Sequence, residues 1–304
     1  MANQKKTVLI LLAFFAIYVI WGSTYLLNKI AVSELPPFKL ASIRFIVAAI
    51  LIFLIAKLLK VDISITRQQL KNTIIAGFLF LTLGNGVVVW ALKFVDSGFA
   101  ALEISAQPLV VLLLMWLIQG KKISAMSYIG VILGFIGVFL LVSQKQIISE
   151  DNQLVGMVMI FGCMLSWAYG SLFVGKSDLP SNYFVNTGYQ MLSGGIMLAV
   201  LSFCFGESWT SPASWSTDVL WAMVLLIVFG SVIAFTAFNF LLKEVSPEKV
   251  ATNTYVNPII ALFLGWWILN ETITLQSIIA AIVLLSGVYF INTKRMIKPR
   301  GIGR

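Results

Sequence analysis

Four polar side chains that could bind a solute stand in two matching pairs along this chain of 304 residues. Glu103 and Gln107 are four positions apart, and so are Asn253 and Asn257. A spacing of four places both members of a pair on one face of a helix. Their carboxyl and amide groups can exchange hydrogen bonds with a polar solute. The alternative is that they only link neighbouring helices, a common role for polar groups in apolar helices.

A proline directly follows each pair, Pro108 in the first and Pro258 in the second. Proline lacks the N–H group that would bind the carbonyl four residues earlier, so each is expected to kink its helix. The freed carbonyls would belong to Ile104 and Thr254. We expect the two pairs to form a polar ladder through the middle of the bundle.

Further polar and aromatic residues occur inside apolar stretches, and such residues can orient an organic solute and stack on it. The candidate substrate-binding residues are Tyr18, Trp21, Thr24, Tyr25, Asn85, Glu103, Gln107, Trp167, Tyr169, Asn239, Asn253, Tyr255 and Asn257. Aromatic residues also form belts at membrane surfaces, and that alternative stays open for Trp21 and Trp90.

Arg44 and Glu103 are the two charges well inside these stretches. Each lies about one and a half turns from the start of its helix, and both helices are expected to start from the same membrane face. An isolated charge at this depth costs at least about 2.5 kcal/mol on insertion scales, which favours an ion pair or a water-filled cavity. A proton or a cationic solute could compete for Glu103 and so couple to transport. The alternative is that each side chain extends separately toward water.

Ten apolar stretches carry these residues. The chain is 60% hydrophobic and 11% charged, whereas a soluble domain has roughly 25% charged residues. A helix needs about 20 apolar residues to cross a bilayer. Stretches of about this length occur at 8–28, 38–56, 72–92, 98–118, 126–142, 154–174, 183–205, 219–242, 249–269 and 274–292. The sequence therefore predicts an all-α, polytopic membrane protein with ten transmembrane helices.

An internal repeat relates the two halves of the chain. Residues 92–138 recur, imperfectly but without a gap, at 242–288, and a slightly smaller offset upstream pairs Trp21 with Trp167. Each copy holds five helices, an odd number, so the second copy must enter the membrane from the opposite side. We predict two inverted five-helix repeats and a basic cytoplasmic tail, at 1–145, 150–293 and 294–304.

Basic residues fall mostly on one side of the predicted helices. With the N-terminus inside, sixteen Lys and Arg residues lie on the inner face, and four, Lys29, Lys39, Lys93 and Lys145, lie on the outer face. Basic residues accumulate on the cytoplasmic side of membrane proteins, so both termini are predicted to be cytoplasmic. This bias explains the net charge of +9, and no nucleic-acid partner is expected.

Several kinds of chemistry are not expected. The chain has no histidine, and both cysteines, Cys163 and Cys204, lie in apolar stretches, so no metal or cofactor is predicted. Residues 170–177, GSLFVGKS, fit the P-loop pattern, but they end an apolar helix instead of following a strand, so no nucleotide is expected. Paired carboxylates, a His cluster and an activated nucleophile are lacking, so enzymatic activity is not expected.

Several segments resemble one known family. WGSTYLLNKIA at 21–31 precedes PPFKLASIRF at 36–45, and GNGVVVWALKFVDSGFAAL, SWAYGS and YVNPIIALFLGWWILNET follow at 84–102, 166–171 and 255–272. These segments resemble the EamA family of the drug/metabolite transporter superfamily. The resemblance implies a ten-helix carrier of the bacterial inner membrane with a central cavity, typically an exporter of amino acids, other metabolites or toxic organic compounds. Position 103 is usually small or apolar in that family, and the glutamate that often follows its fourth helix is replaced here by Lys121.

The expected function is that of a secondary carrier that exports a small organic solute by alternating access. Proton-linked uptake of a sugar or an amino acid is the alternative, and an intramembrane enzyme or a non-transporting scaffold is less favoured. A monomer surrounded by membrane lipids is favoured. A homodimer through the small face formed by Gly130, Gly134 and Gly137 is the alternative.

Overall fold

The computed structural model describes residues 2–120, 125–143, 152–245, 250 and 253–292. Helices and short connections make up this part of the chain, and none of its residues is in a β-strand. The order of the main helices is α1 (Ala2–Phe15, Ala16–Ile20, Trp21–Val32), α2 (Pro37–Leu58), α3 (Arg67–Gly77, Phe78–Gly86, Val87–Ala91), α4 (Ser97–Ile104, Gln107–Gln119), α5 (Ala125–Val142), α6 (Gln153–Val174), α7 (Tyr183–Cys204), α8 (Thr217–Leu225, Leu226–Ile233, Ala234–Glu244), α9 (Asn253–Leu269) and α10 (Leu275–Asn292).

The helices are those of a membrane protein. Seven of them, α1 to α4 and α6 to α8, are long and apolar enough to cross a bilayer. The apolar parts of the other three are shorter, at Met126–Leu140, Val256–Leu269 and Leu275–Gly287. Each predicted stretch lies within one of the helices α1 to α10 or extends past it by one residue, apart from 249–252, where only residue 250 is described. Helices α1 and α3 begin several residues before the predicted stretches, at Ala2 and Arg67.

The two prolines act differently on their helices. The first part of α4 ends at Ile104, Ser105 and Ala106 form a turn, and the helix restarts with Pro108 in its first turn. A proline fits there because the first N–H groups of a helix need no partner within it. Pro258, in contrast, lies inside α9, and the helix continues through it. A kink was expected in both helices: α4 has a short turn at Ser105 and Ala106 before Pro108, whereas α9 is helical through Pro258.

Local chain chemistry fixes other helix ends. Thr66 and Gln69 form a capping box before α3, in which the Thr66 hydroxyl accepts from Gln69 N (3.1 Å) and the Gln69 side chain accepts from Thr66 N (3.2 Å). Gly120 ends α4 with a φ of 63°, a conformation that favours glycine.

Contacts between connections define one end of the bundle. The Glu207 carboxylate, after α7, accepts hydrogen bonds from Phe38 N (3.1 Å) and Lys39 N (2.7 Å) at the start of α2. The Glu271 carboxylate, between α9 and α10, accepts from Ser97 N (2.8 Å) at the start of α4. Carboxylates at helix N-termini are stabilised by the free N–H groups and by the helix dipole.

Other contacts define the opposite end. The Asn72 amide of α3 donates to the carbonyl of Asp178 (2.8 Å), and the Tyr189 hydroxyl of α7 donates to the carbonyl of Ile63 (3.1 Å). These bonds attach the α6–α7 connection to α3 and the α2–α3 connection to α7. The described connections therefore alternate between two ends, as expected for helices that run up and down.

The equivalent residues Lys93 and Lys243 lie near opposite ends of helix α1, as the contacts of two lysines of that helix show. Lys29 donates to two carbonyls of the 92–95 segment, at 2.9 and 2.7 Å. Lys6 forms an ion pair of 2.6 Å with the residue that follows Lys243. The helix between Lys6 and Lys29 is roughly 35 Å long at 1.5 Å per residue. Lys93 and Lys243 are thus separated by about the thickness of a bilayer.

Reciprocal contacts relate α5 to α10. A Cβ atom on Gly137 would lie 2.6 Å from Leu284 Cγ, and one on Gly287 would lie 2.9 Å from Gly134 N. The repeat pairs Gly134 with Leu284 and Gly137 with Gly287. Gly137 therefore contacts the equivalent of Gly134, and Gly134 contacts the equivalent of Gly137. Such a reciprocal pair of contacts is typical of a twofold axis. These glycines are thus used for packing within the chain.

Labelling should locate the two equivalent lysines on opposite sides of the membrane. We expect cysteines that replace Lys93 or Lys243, in a background without Cys163 and Cys204, to react with an impermeant thiol reagent from opposite sides of sealed cells. A cysteine at Ser211 should react from the same side as the one at position 93. Labelling of positions 93 and 243 from one side would contradict the inverted arrangement.

The α5–α10 contact should tolerate no added methyl group. Gly287→Ala would bring a Cβ within 2.8 Å of the Gly130 carbonyl oxygen, and overpacking typically costs about 1–3 kcal/mol. We expect a lower melting temperature in detergent. Gly162→Ala is the matched control, because a Cβ there meets no atom within 4 Å, and Ala favours helix. Equal melting temperatures for both variants would show that α5 and α10 are not closely packed.

Candidate functional site

Five aromatic rings from α1, α3, α6 and α8 form one cluster where these helices meet. They belong to Trp21, Phe80, Trp167, Phe235 and Phe238, and contacting ring centroids are 4.9 to 6.5 Å apart. Most pairs are tilted or edge-to-face, the arrangements that ring quadrupoles favour. We call these five residues the aromatic cluster. It is the largest aromatic assembly in the described part of the chain.

The two tryptophans of the cluster are equivalent in the internal repeat. Trp21 and Trp167 meet edge to face, with their centroids 6.1 Å apart and their planes at 86°. Equivalent residues that touch must lie beside the axis that relates the two copies. The cluster is therefore located where the halves of the chain meet, and Trp21 is not a belt residue.

The backbone around the cluster is unusual, because α1, α3 and α8 each widen into π-helical turns at Ala16–Ile20, Phe78–Gly86 and Leu226–Ile233. Such turns interrupt the regular i to i+4 hydrogen bonds and often mark functional sites. The Trp21 indole N–H donates to the carbonyl of Gly230, within the π-helical part of α8, at 3.2 Å. Trp21 thus joins the cluster to the backbone of α8.

The other two π-helical segments are bound in the same way. The Ser166 hydroxyl of α6 donates to the carbonyl of Leu79 in α3 at 2.8 Å. The Asn257 amide of α9, oriented with its nitrogen toward carbonyl oxygens, donates to the carbonyl of Tyr18 in α1 at 2.8 Å. A polar side chain from another helix therefore satisfies a carbonyl in each widened segment.

The two predicted polar pairs bind different helices, α9 to α1 and α4 to α6. In its bound orientation the Asn257 amide accepts from Asn253 Nδ2 (3.2 Å), so this pair is joined and attached to α1. Gln107 Nε2 donates to the carbonyl of Met164 on α6 at 3.0 Å. No hydrogen bond between the pairs is found in the described residues. The observed contacts are those of residues that link helices, and a role in a solute pathway stays a prediction.

Glu103 is buried at the end of the first part of α4. Its side chain is 4% exposed, and Oε2 accepts no hydrogen bond within the described ranges. Cys163 of α6 is close enough to interact electrostatically with both Glu103 and Tyr25 of α1. A buried carboxyl group whose Oε2 forms no hydrogen bond with a described residue therefore lies among α1, α4 and α6.

Arg44 is bound by neutral side chains. Its Nε donates to the Ser231 hydroxyl (2.8 Å), and Nη1 donates to the amide oxygens of Asn28 (3.3 Å) and Asn85 (3.4 Å). The residue is 2% exposed. Its partners belong to α1, α3 and α8.

The structure does not bring Arg44 and Glu103 together. The ion pairs within the described part of the chain, Lys6 with Glu244 and Lys29 with Asp96, do not include either residue. Similar depth in the bundle did not imply contact, because Arg44 faces α3 and α8 whereas Glu103 lies near Cys163 of α6.

Three other predicted residues lie apart from the cluster. Asn239 belongs to a buried network in which it accepts from Asn186 Nδ2 (3.3 Å) and donates to the Thr187 hydroxyl (2.8 Å). Tyr169 is 49% exposed on the outer, apolar face of α6. The backbone of Tyr255 lies in α9, but its side chain is outside the described residues.

Two predicted residues of α1 lie next to the cluster. The Thr24 hydroxyl donates to the Trp21 carbonyl at 2.7 Å, and Tyr18, whose ring is 5.7 Å from that of Phe14, is partly buried. The sequence did not single out Gly230, Ser231 or the three phenylalanines. A serine within an apolar stretch was a usable signal for Ser231, but nothing distinguishes those phenylalanines from others in the chain.

Comparisons with known proteins agree along nearly the whole chain. The model of the EamA-like transporter family matches twice, at residues 8–143 and 154–293. The uncharacterized inner membrane transporter YedA of Escherichia coli K12 is 33% identical over 297 residues, which cover 94% of each chain. The uncharacterized transporter YoaV of Bacillus subtilis 168 is 24% identical over 284 residues, 93% of this chain and 96% of that protein.

A solved crystal structure shares the fold. It superposes with a TM-score of 0.66 over 92% of this chain and 94% of the other, at 18% sequence identity. Because the family model matches both halves and YedA is similar over almost its full length, this chain belongs to the EamA-like transporter family.

Proposed function

We propose that this membrane transporter is a secondary carrier that exports a small organic solute across the bacterial inner membrane by alternating access. The observation that carries the proposal is the contact of the equivalent residues Trp21 and Trp167 inside the aromatic cluster. A site beside the axis between two inverted repeats can be presented to either side of the membrane in turn.

Inverted repeats are supported by three independent features. The family model matches each half separately. The equivalent residues Lys93 and Lys243 lie near opposite ends of α1, and α5 packs on α10 through reciprocal glycine contacts. We infer that all ten helices cross the membrane and that both termini are on the basic, cytoplasmic side.

An organic solute is favoured by the composition of the cluster. Sites for organic molecules are lined mainly by apolar and aromatic side chains, with a few polar groups that set orientation. The rings of the cluster can stack on a flat solute, and Thr24, Asn28 and Asn85 lie close by as polar groups. The described residues contain no cluster of metal ligands.

Exchange across liposomes should show a carrier and identify its solute class. Purified protein is first heated with amino acids, sugars, organic acids and cationic dyes, since a compound at about 100 times its Kd stabilises by about 2.7 kcal/mol. The stabilising compound, radiolabelled, is then offered to liposomes loaded with the same unlabelled compound. We expect transient accumulation, because a carrier exchanges solute faster than it returns empty.

Removing either central tryptophan should abolish this exchange. We expect Trp21→Ala and Trp167→Ala to reduce accumulation at least about tenfold while the protein stays monodisperse, since ring stacking is lost from the site. Trp267→Ala is the matched control, because that ring is 65% exposed on α9. Equal exchange in all three variants would place the solute elsewhere, and exchange no faster than in protein-free liposomes would contradict a carrier.

A proton-linked cycle is tested at Glu103. The titratable groups of the described elements packed on this part of α4 are Tyr25 of α1 and Cys163 of α6, with Glu271 at its outer end. If Glu103 exchanges a proton in each cycle, Glu103→Gln should remove the pH dependence of exchange between about pH 5.5 and pH 8.5. An unchanged pH profile would leave Glu103 without a coupling role.

Glu34→Gln is the control for this experiment. Glu34 lies in the α1–α2 connection, where hydrogen bonds from the side chain and backbone of Ser216 lower the pKa of its carboxyl group. It therefore stays ionised over the tested range. We expect the pH profile of this variant to match that of the unmodified protein.

A further inference from the structure

The buried guanidinium group of Arg44 has one edge that forms no hydrogen bond with a described residue. Nε and Nη1 donate to Ser231, Asn28 and Asn85, whereas Nη2 forms no hydrogen bond with a described residue. Nη2 lies against Gly230, where a Cβ atom would be only 3.2 Å away. The absence of a side chain at Gly230 therefore lets Nη2 approach the backbone of α8 more closely than a larger residue would allow.

No acid in the described residues balances this charge. The ion pairs found there join Lys6 to Glu244 and Lys29 to Asp96. A buried acid can become neutral by binding a proton. Arginine stays protonated in proteins, so Arg44 keeps its positive charge. A lone cation inside a membrane protein is costly and usually marks a functional site.

The Nη2 edge of Arg44, which lacks a hydrogen bond from the described residues, adjoins the aromatic cluster. Gly230 lies between the two: its carbonyl accepts from the Trp21 indole at 3.2 Å, and its α-carbon side faces Nη2. Thr24, one turn from Trp21 on α1, also contacts this glycine position, at 2.9 Å from a Cβ there. A polar donor group and a set of apolar rings are thus adjacent.

We propose that Arg44 binds the carboxylate of the transported solute, whose flat apolar body lies against the aromatic cluster. This inference rests on the proposed function. The planar guanidinium group matches the geometry of a carboxylate and forms strong, charge-assisted hydrogen bonds with it. Binding would neutralise the buried charge when solute is present.

A single negative charge suits this position better than two. The nearest lysines along the bundle are already bound at its outer end, Lys29 to the 92–95 carbonyls and Lys39 to Thr210. Among the described residues, Arg44 is therefore the one cation at this position, and it can balance one negative charge of a solute. A dianionic phosphate would retain an unbalanced charge in the apolar interior, so a carboxylate is favoured.

Matched acids and amides test the proposal. Melting temperatures of the purified protein at neutral pH are measured against increasing acetate, benzoate and indole-3-acetate, and against acetamide, benzamide and indole-3-acetamide. We expect at least one acid to stabilise the protein at concentrations where its amide does not, with the effect growing from acetate to the ring compounds. Inorganic phosphate should shift the melting temperature equally with and without Arg44.

Variants assign the effect to Arg44. Arg44→Gln should weaken binding of the stabilising acid by roughly tenfold or more, and Arg44→Lys, which keeps the charge without the planar fork, should weaken it less. Ser231→Ala removes only the Nε contact and should change the affinity by roughly threefold or less. If Arg44→Gln does not fold, Gly230→Ala, which places a methyl group against Nη2, gives the same comparison with the charge retained.

The outcomes separate this inference from the proposed function. Acids that stabilise no better than their amides, or equal acid binding with and without Arg44, would overturn the role of Arg44. Equal exchange of a neutral solute by the unmodified protein and by Arg44→Lys would also overturn the role of Arg44. That result would still agree with the proposed carrier function. Absence of any exchange would instead contradict the carrier itself.

Discussion

Backbone groups inside a bilayer must find partners within the protein, and this constraint organises the centre of the bundle. Three helices widen into π-helical turns there. A carbonyl in each widened turn is bound from another helix, by Trp21, Ser166 or Asn257. These bonds attach α1 to α8, α6 to α3 and α9 to α1, so that contacts between the two halves satisfy the backbone of both. The aromatic cluster stands where two of these links converge.

The same requirement governs the buried charge of Arg44. Neutral oxygens from α1, α3 and α8 satisfy part of the guanidinium group, but they supply no negative charge. The cation is therefore positioned without being neutralised, next to rings that cannot hydrogen-bond with it. Gly230 contacts both groups: its carbonyl accepts from the Trp21 indole, and its α-carbon packs closely against Nη2 of Arg44. A solute that brings both a flat apolar body and an anion fits this combination.

The positions of the helices and the internal repeat were predictable from the sequence, because both appear as periodic patterns of residues. The direction that a side chain faces around its helix was not. The apolar stretches coincide with the helices, and the repeat paired Trp21 with Trp167, which meet in the structure. The same offset pairs Phe15 with Phe161, yet both are exposed, at 62% and 50%. Depth along the helices was predictable for Arg44 and Glu103, but the side of the bundle that each faces was not. The π-helical turns have no signature in residue types, so the bonds of Trp21 and Asn257 to carbonyls in these turns could not be predicted, and their role toward a solute stays a prediction.

Accessibility of the centre from each side tests the account most directly. Thr24 lies beside Gly230 and is 8% exposed, and a cysteine there is of similar size. In a background without native cysteines, this thiol should react with an impermeant reagent both in right-side-out and in inside-out vesicles. A cysteine at Ile50, on the exposed apolar surface of α2, should react in neither. Alternating access predicts reaction from both sides. Reaction from one side only, or from neither while solute exchange persists, would contradict a central site shared by two inverted repeats.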